Sequence, residues 1–209
     1  MTLEMTVHGF DDGDPVPTTF SFGVPADDGP MALGPNRNPR ITWSGAPAGT
    51  KSFALMVVDP LVPSVADDVN VEGKTIPADL PRVDFHHWVL VDVPADRSEI
   101  AEGEASDGVT AKGKAPGAKP WGVEGINDYT GFMAGDPDMG GTYGGYDGPC
   151  PPWNDELVHR YEFRLYALDV ESLGLSGDFS GGDAAAAMAG HVLAEASQAG
   201  TYTLNPTLR

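Results

Sequence analysis

Short apolar runs separated by turn residues dominate this chain, and their pattern predicts a mainly β structure. Runs 53–58 and 88–91 are apolar at every position, which is typical of central strands covered on both faces. Apolar and polar residues alternate over 161–167, which favours a strand with one buried face. The predicted strands are 4–6, 39–43, 52–58, 87–91 and 159–168, with a closing strand over 200–204.

One segment has the pattern of an α-helix. Asp183 is a suitable N-cap for the alanine run 184–187, and the helical pattern continues through 191–196. Gly200 stands where a glycine commonly ends a helix. Segments 61–85 and 101–147 lack periodicity and are predicted to be long loops, which in compact domains often line a site.

Composition narrows the class of protein. Glycine (27) and proline (19) are spread throughout and indicate many turns; without any repeat, residues 1–209 are interpreted as one domain. The single cysteine, Cys150, excludes an intrachain disulfide and fits a reducing compartment. No apolar stretch approaches the ~20 residues that span a bilayer, and the N-terminus lacks a secretory pattern. A cytoplasmic location without membrane insertion is therefore expected.

The charge balance excludes one class of partner. The net charge is -19, from 31 acidic and 12 basic residues. Nucleic acid would be repelled, because affinity for it depends on lysine and arginine at the phosphates. The acidic residues are scattered along the chain, which favours a halophilic surface adapted to high salt, although an ordinary acidic protein stays open.

Polar groups of complementary type lie at the edges of three predicted strands. Asp59 follows an apolar run, His86 and His87 precede another, and His159 with Tyr161 begins a third. Adjacent strand residues point to opposite faces, so only one of the two neighbouring histidines faces a given pocket. The set predicts a pocket for an anion or a polar ligand. The structural alternatives are an Asp-Pro turn at the first strand and a core histidine in the third.

No complete catalytic motif accompanies these residues. Neither Gly-x-Ser-x-Gly nor His-Glu-x-x-His occurs, and no metal or cofactor is expected. Cys150 lies in Gly-Pro-Cys-Pro-Pro, where few backbone N–H groups are left for an oxyanion hole. The same rigid segment would make a stiff pocket wall. A hydrolase or acid–base enzyme using Asp59, His87 and His159 stays an open alternative.

Six segments form an ordered set along the chain: 36–43 (NRNPRITW), 47–55 (PAGTKSFAL), 59–63 (DPLVP), 87–91 (HWVLV), 146–152 (YDGPCPP) and 159–161 (HRY). In this order they resemble the phosphatidylethanolamine-binding protein family, in its bacterial and archaeal Raf-kinase-inhibitor-like branch. The resemblance also covers the chain end, at 193–196 and 200–202. The connection 61–85 is longer than in that branch, and Leu61 stands where the family usually has an acidic residue. The longer connection is expected to cover the pocket or to change what enters it.

The resemblance implies an antiparallel Greek-key β-sandwich with a few peripheral helices, including a C-terminal one. It also implies a pocket for phosphate-type head groups, so a small anionic ligand is expected as partner, with a regulatory or kinase-inhibitor-like role. A protein-interaction module with a vestigial pocket is an alternative, and a homodimer is left open. Carried over by motif, the ligand-binding residues are Asp59, Pro60, His87, Gly148, Pro149, Cys150, Pro151, His159 and Tyr161.

Overall fold

The computed structural model of the protein describes residues 2–209, and most of its regular structure is β-strand. It contains one 3-10 helix, Thr18–Phe20. The two α-helices are α1 (Tyr129–Phe132) and α2 (Gly181–Met188). The strands are β1 (Glu4–Val7), β2 (Gly23–Val24), β3 (Ala32–Leu33), β4 (Ile41–Ser44), β5 (Ser52–Pro63), β6 (Arg82–Pro94), β7 (Glu99–Ile100), β8 (Gly117–Lys119), β9 (Gly122–Glu124), β10 (His159–Leu168) and β11 (Val192–Tyr202).

A six-stranded antiparallel sheet forms the centre of the fold, in the order β11-β10-β5-β6-β9-β8. The two fully apolar runs of the sequence fall in β5 and β6, which are interior strands as predicted. One face of these strands packs on a second sheet, β1-β4-β7, through a core that includes Trp43, Leu55 and Trp88. The mainly β, two-sheet prediction is confirmed, while the Greek-key connection stays a prediction.

The helix α2 covers the opposite face of the large sheet. Ala184 and Met188 pack there against Met56 and Val89. Ser180 is the N-cap, and Asp183 completes a capping box as the third helical residue, so the prediction of Asp183 as N-cap is wrong. No helix among residues 2–209 has the length and apolar character needed to cross a membrane.

The predicted continuation of this helix through 191–196 is also wrong. Gly190, at φ 85°, ends the helical path, and the chain then enters β11. β11 pairs with β10 from Val192 to Tyr202, so a long ladder of backbone hydrogen bonds outweighs the helix propensity of its alanines.

The central strands are longer than predicted. β5 continues through Asp59 and Pro60 to Pro63, and β6 begins at Arg82. Asp59 and His87 therefore lie inside strands and not at strand ends. The register of the β5–β6 pairing shifts beside each of them, and the pairing continues past these irregularities. The predicted loop 101–147 also contains β8, β9 and α1.

Candidate functional site

A cavity of about 590 Å³ opens where β5, β6 and β10 meet the segments that follow them. Asp59, His87 and Tyr161 come from these three strands and share its wall. Most of the remaining wall is apolar. It is formed by aromatic, methionine and aliphatic side chains, among them Phe22, Met31, Val62, Phe85, Tyr129, Phe132 and Met139.

A β-bulge aims His87 at the cavity. Val57 pairs with Trp88 and Val58 pairs with His86, so His87 is the extra residue of β6 between them. Its neighbour His86 packs instead against Gly181 of α2. The expectation that the two histidines face different surroundings agrees with these contacts.

The His87 ring has a fixed orientation. Its Nδ1 lies 2.8 Å from the carbonyl oxygen of Asp147, to which it donates, so Nε2 is the nitrogen left for a ligand. Burial lowers the pKa of His87 from its usual 6.5, against the raising influence of Asp59. The ring is therefore neutral at pH 7, and its Nε2 accepts a proton only when a partner stabilises the charged form.

Asp147 is the buried support for this histidine. Its carboxylate accepts hydrogen bonds from Asn36 (2.7 Å), Asn127 (2.8 Å) and the Lys114 ammonium (2.6 Å). Asn36 adopts φ 49° and also accepts from the Gly148 N–H through its side-chain oxygen. These contacts tie the proline-rich segment to β6. Sequence reasoning assigned Gly148 to the site but not Asn36, Lys114, Asn127 or Asp147.

Asp59 and His159 form a buried pair at the floor of the cavity. The His159 Nδ1 lies 2.6 Å from Asp59 Oδ2, and the other Asp59 oxygen accepts from the Leu61 N–H at 2.8 Å. The His159 Nε2 lies 3.1 Å from Asp155, whose carboxylate is held by Arg82. His159 is fully buried and does not line the cavity, so it acts on the site through Asp59.

His159 carries a positive charge at neutral pH. Burial alone would lower its pKa, but hydrogen bonds with Asp155 and Asp59 raise the pKa to about 9. The same contacts, with Arg82, lower the pKa of Asp155 although burial acts in the opposite direction. The floor of the cavity is thus a series of positive and negative side chains in the order Arg82, Asp155, His159, Asp59. Asp59 is the member that reaches the cavity.

The hydroxyl of Tyr161 is the least satisfied polar group of the site. The side chain is fully buried, and its hydroxyl makes no hydrogen bond of normal length and angle among the described residues, although the Asp59 carboxylate lies close enough to help raise the pKa of Tyr161. Its ring packs on the His87 ring with centroids 5.0 Å apart. Burial raises the pKa of Tyr161 well above 10, so the group is a hydrogen-bond donor at all ordinary pH values.

The proline-rich segment contributes only part of its predicted wall. Cys150 and Pro151 line the cavity, whereas Gly148, Pro149 and Pro60 do not. Gly148 has a structural role, because a Cβ at this position would collide with the carbonyl of Phe20. Burial raises the pKa of Cys150 to about 12, so its thiol stays protonated and is not an activated nucleophile.

The charges on the cavity wall are all negative. Asp59, Asp84, Asp128 and Asp136 line the cavity, and no lysine or arginine does so within residues 2–209. Asp128 accepts a hydrogen bond from the His86 backbone N–H at 2.6 Å, and the His86 Nδ1 lies 3.1 Å from the same carboxylate oxygen. A ligand with uncompensated negative charge would meet repulsion at this opening.

Comparison with known proteins decides the family. The model of the family described as "Phosphatidylethanolamine-binding protein" matches residues 6–203. The chain belongs to the phosphatidylethanolamine-binding protein family. A UPF0098 protein of Methanothermobacter thermautotrophicus is 32% identical over 200 residues, 96% of this chain and 98% of that protein. The UPF0098 protein YbhB of Escherichia coli is 32% identical over 186 residues, 89% and 90% of the two chains.

Solved structures of this family agree with the fold. The crystal structure of Escherichia coli YbcL, titled a new member of the mammalian PEBP family, superposes with a TM-score of 0.68 at 26% identity, covering 97% of this chain and 99% of that one. A putative homologue from Chlamydia trachomatis gives a TM-score of 0.65 at 27% identity, covering 96% and 97%. The family resemblance inferred from the sequence motifs is confirmed.

Proposed function

We propose that this family member is a binding protein whose cavity takes a small ligand with a phosphate-type group at Tyr161, His87 and Asp59. The observation that carries the proposal is the Tyr161 hydroxyl, buried at the cavity wall without a partner. An unmade hydrogen bond of this kind costs about 1–3 kcal/mol, which a ligand oxygen would offset. His87 Nε2 supplies a second donor once it is protonated.

The protonation states favour a singly charged phosphate. The second pKa of a phosphate monoester is about 6, so near pH 6 much of it keeps one hydroxyl. That hydroxyl donates to the Asp59 carboxylate, while the charged oxygens accept from Tyr161 and His87. Since burial lowers the pKa of His87 in the free protein, binding requires proton uptake and strengthens as the pH falls below 6.5.

The acidic wall favours a phosphate that is attached to a cation. Four carboxylates line the cavity, and no lysine or arginine of residues 2–209 does so, so an ammonium group on the ligand would offset repulsion of the phosphate. The family description names phosphatidylethanolamine, whose head group has this combination of charges. Phosphoethanolamine is therefore the probe of choice, because as a monoester it keeps the phosphate hydroxyl that a diester lacks.

A binding role is favoured over catalysis by the same geometry. The Cys150 thiol stays protonated, and both ring nitrogens of His159 are engaged by carboxylates, so neither group acts on a bound molecule. Among the histidines of residues 2–209, only His87 lines the cavity. A lone neutral imidazole without an activated nucleophile beside it is a binding group in this setting.

Calorimetry of the full chain at pH 6.0 and 7.5 tests the proposal with phosphoethanolamine, inorganic phosphate and ethanolamine. We expect phosphoethanolamine to bind more tightly than either fragment and more tightly at pH 6.0. Tyr161→Phe should weaken binding about tenfold or more, the cost of one charge-assisted hydrogen bond. Tyr146→Phe is the matched control, because that hydroxyl already donates to the carbonyl of Phe20 outside the cavity. Equal affinities of the two variants, or no binding at millimolar ligand, would contradict the proposal.

A further inference from the structure

A closed circuit of hydrogen bonds links the cavity floor to the segment between β5 and β6. Beyond the Asp59–His159–Asp155 series, Asp155 accepts from both terminal nitrogens of Arg82, at 2.5 and 3.0 Å. Arg82 donates onward to the carbonyl of Leu61 at 2.9 Å, and the N–H of Leu61 returns to Asp59. None of the four side chains is more than about a tenth exposed.

Arg82 also holds the base of this segment, residues 64–81, here called the cover segment. Besides Leu61, which precedes the segment, it donates to the carbonyls of Pro77 at 2.9 Å and Leu80 at 3.2 Å near its end. The cover segment contributes Ala66 and Asn70 to the cavity wall. The Arg82 guanidinium group thus holds both the Asp155 carboxylate below the cavity and the end of the segment that forms one cavity wall.

Asn154, next to Asp155, fastens the middle of the cover segment. Its side-chain oxygen accepts from the Asn70 N–H at 3.0 Å, and its amide group donates to the carbonyls of Asp68 (2.8 Å) and Lys74 (3.1 Å). The cover segment has no strand or helix of its own, apart from a bridge of Ile76 with Asp155. Its position therefore depends on contacts with residues 153–156 and with Arg82.

Building on the proposed function, we propose that Arg82 and Asp155 are positioning residues that couple closure of the cover segment to the charge on His159. Protonated His159 donates to Asp59 of β5 and to Asp155, behind which lies Arg82 of β6. A neutral ring has one N–H and satisfies only one of the two carboxylates. Its deprotonation removes the histidine's hydrogen bond from one of the two buried carboxylates, so the circuit weakens and the cover segment loosens.

Hydrogen exchange and histidine NMR on the full chain without ligand test this coupling. Arg82→Gln should lower the protection factors of the Asn70, Ile76 and Ala78 amides about tenfold or more and move the His159 titration, because Asp155 loses the guanidinium group that holds its carboxylate beside the ring. The matched control is Arg97→Gln, since Arg97 makes a comparable pair with Glu104 away from the cavity. The proposal is overturned if the two variants give the same His159 titration and the same protection factors in the cover segment.

Two further measurements keep the test decisive if Arg82→Gln does not fold. In the wild type, protection of the cover segment should fall between pH 8 and 10 in step with the His159 titration, while β1 and β4 stay protected. Arg82→Lys should show the same loss of protection to a smaller degree, because an ammonium cannot replace the planar fork. Unchanged protection across this pH range, after correction for intrinsic exchange, contradicts the coupling.

Binding measurements separate this inference from the proposed function. If the cover segment responds as described and the wild type does not bind phosphoethanolamine, the coupling stands and the proposed ligand is wrong. If phosphoethanolamine binds and Arg82→Gln alters neither its affinity nor the cover segment, the coupling is wrong and the proposed ligand stands.

Discussion

At the scale of single residues, the site is defined by which hydrogen bonds are made and which are left open. His159 has both ring nitrogens engaged, His87 has one, and the Tyr161 hydroxyl has no partner. Proteins rarely leave a fully buried hydroxyl unpaired, because the lost solvation is not recovered. His87 and Tyr161, which still have unused hydrogen-bonding atoms, are therefore the groups expected to bind a ligand. His159, whose two ring nitrogens are both engaged, supports them.

Replacing the unpaired hydroxyl should stabilise the free protein. Tyr161→Phe removes a buried group without a partner at nearly constant volume, so we expect the free energy of unfolding to rise by about 1 kcal/mol. Tyr146→Phe should lower it by about 1 kcal/mol, since that hydroxyl donates to Phe20 at 2.7 Å. Urea unfolding of both variants gives the values, and a loss of stability in Tyr161→Phe would show that its hydroxyl has a protein partner.

The charge on His159 should make stability depend on pH in the alkaline range. Its pKa rises from 6.5 to about 9 on folding, so its contribution is complete below pH 6.5 and is lost as pH rises through 9. At about 1.4 kcal/mol per pKa unit, this amounts to about 3 kcal/mol. Urea unfolding at pH 6.5, 8 and 9.5 measures it, and constant stability over that range would contradict a protonated His159.

At the scale of elements, the contact of α2 with the large sheet depends on one small residue. A Cβ at Gly181 would collide with the His86 ring, whereas at Gly182 it would make only an ordinary contact of 3.7 Å with the Ser180 hydroxyl. Both positions are in the first turn of α2. Alanine substitutions at the two glycines therefore distinguish the cost of a steric clash from the gain in helix propensity.

Gly181→Ala should destabilise the protein by about 2 kcal/mol, because the new methyl displaces either α2 or the His86 ring. Gly182→Ala should be neutral or stabilise by up to about 1 kcal/mol, through the higher helix propensity of alanine. Thermal and urea unfolding compare them. Equal effects of the two substitutions would show that α2 does not pack closely on His86.

The periodicity of apolar residues predicted the central strands correctly, whereas the prediction for residues 191–196 near the C-terminus was wrong. The runs in β5 and β6 are short and apolar on both faces, which favours interior strands. The alanine-rich stretch 184–196 reads as one helix, because propensity is local and the pairing of β11 with β10 is not. Gly190 was the available signal, as a glycine at positive φ commonly ends a helix.

At the scale of the whole molecule, the sequence predicted the family and the two-sheet fold but not how the site is supported. Motif order placed Asp59, His87 and Tyr161 together, and they share the cavity wall. The partners Asn36, Lys114 and Arg82 are 20 or more residues from the motifs they support, and only tertiary structure brings them close. The bulge at His87 was equally invisible, since register is set by pairing between strands.

The net charge of -19 should make stability depend on salt. Scattered carboxylates repel one another, and potassium chloride screens this repulsion over a few ångströms at molar concentration. We expect the urea midpoint to rise between 0.1 and 2 M KCl. Sucrose at equal osmolality is the control for general exclusion from the surface. A midpoint that is flat or falls with KCl would contradict the prediction of a halophilic surface.

The most direct test of the account is a titration of phosphoethanolamine at pH 6.5, followed through the ring nitrogens of His87 and His159 by NMR. We expect His87 Nε2 to change from the neutral to the protonated signal as the cavity fills, in step with ligand concentration, while His159 stays protonated throughout. A His87 signal that is unmoved at millimolar ligand, or a response confined to His159, would contradict binding of a phosphate group at this wall.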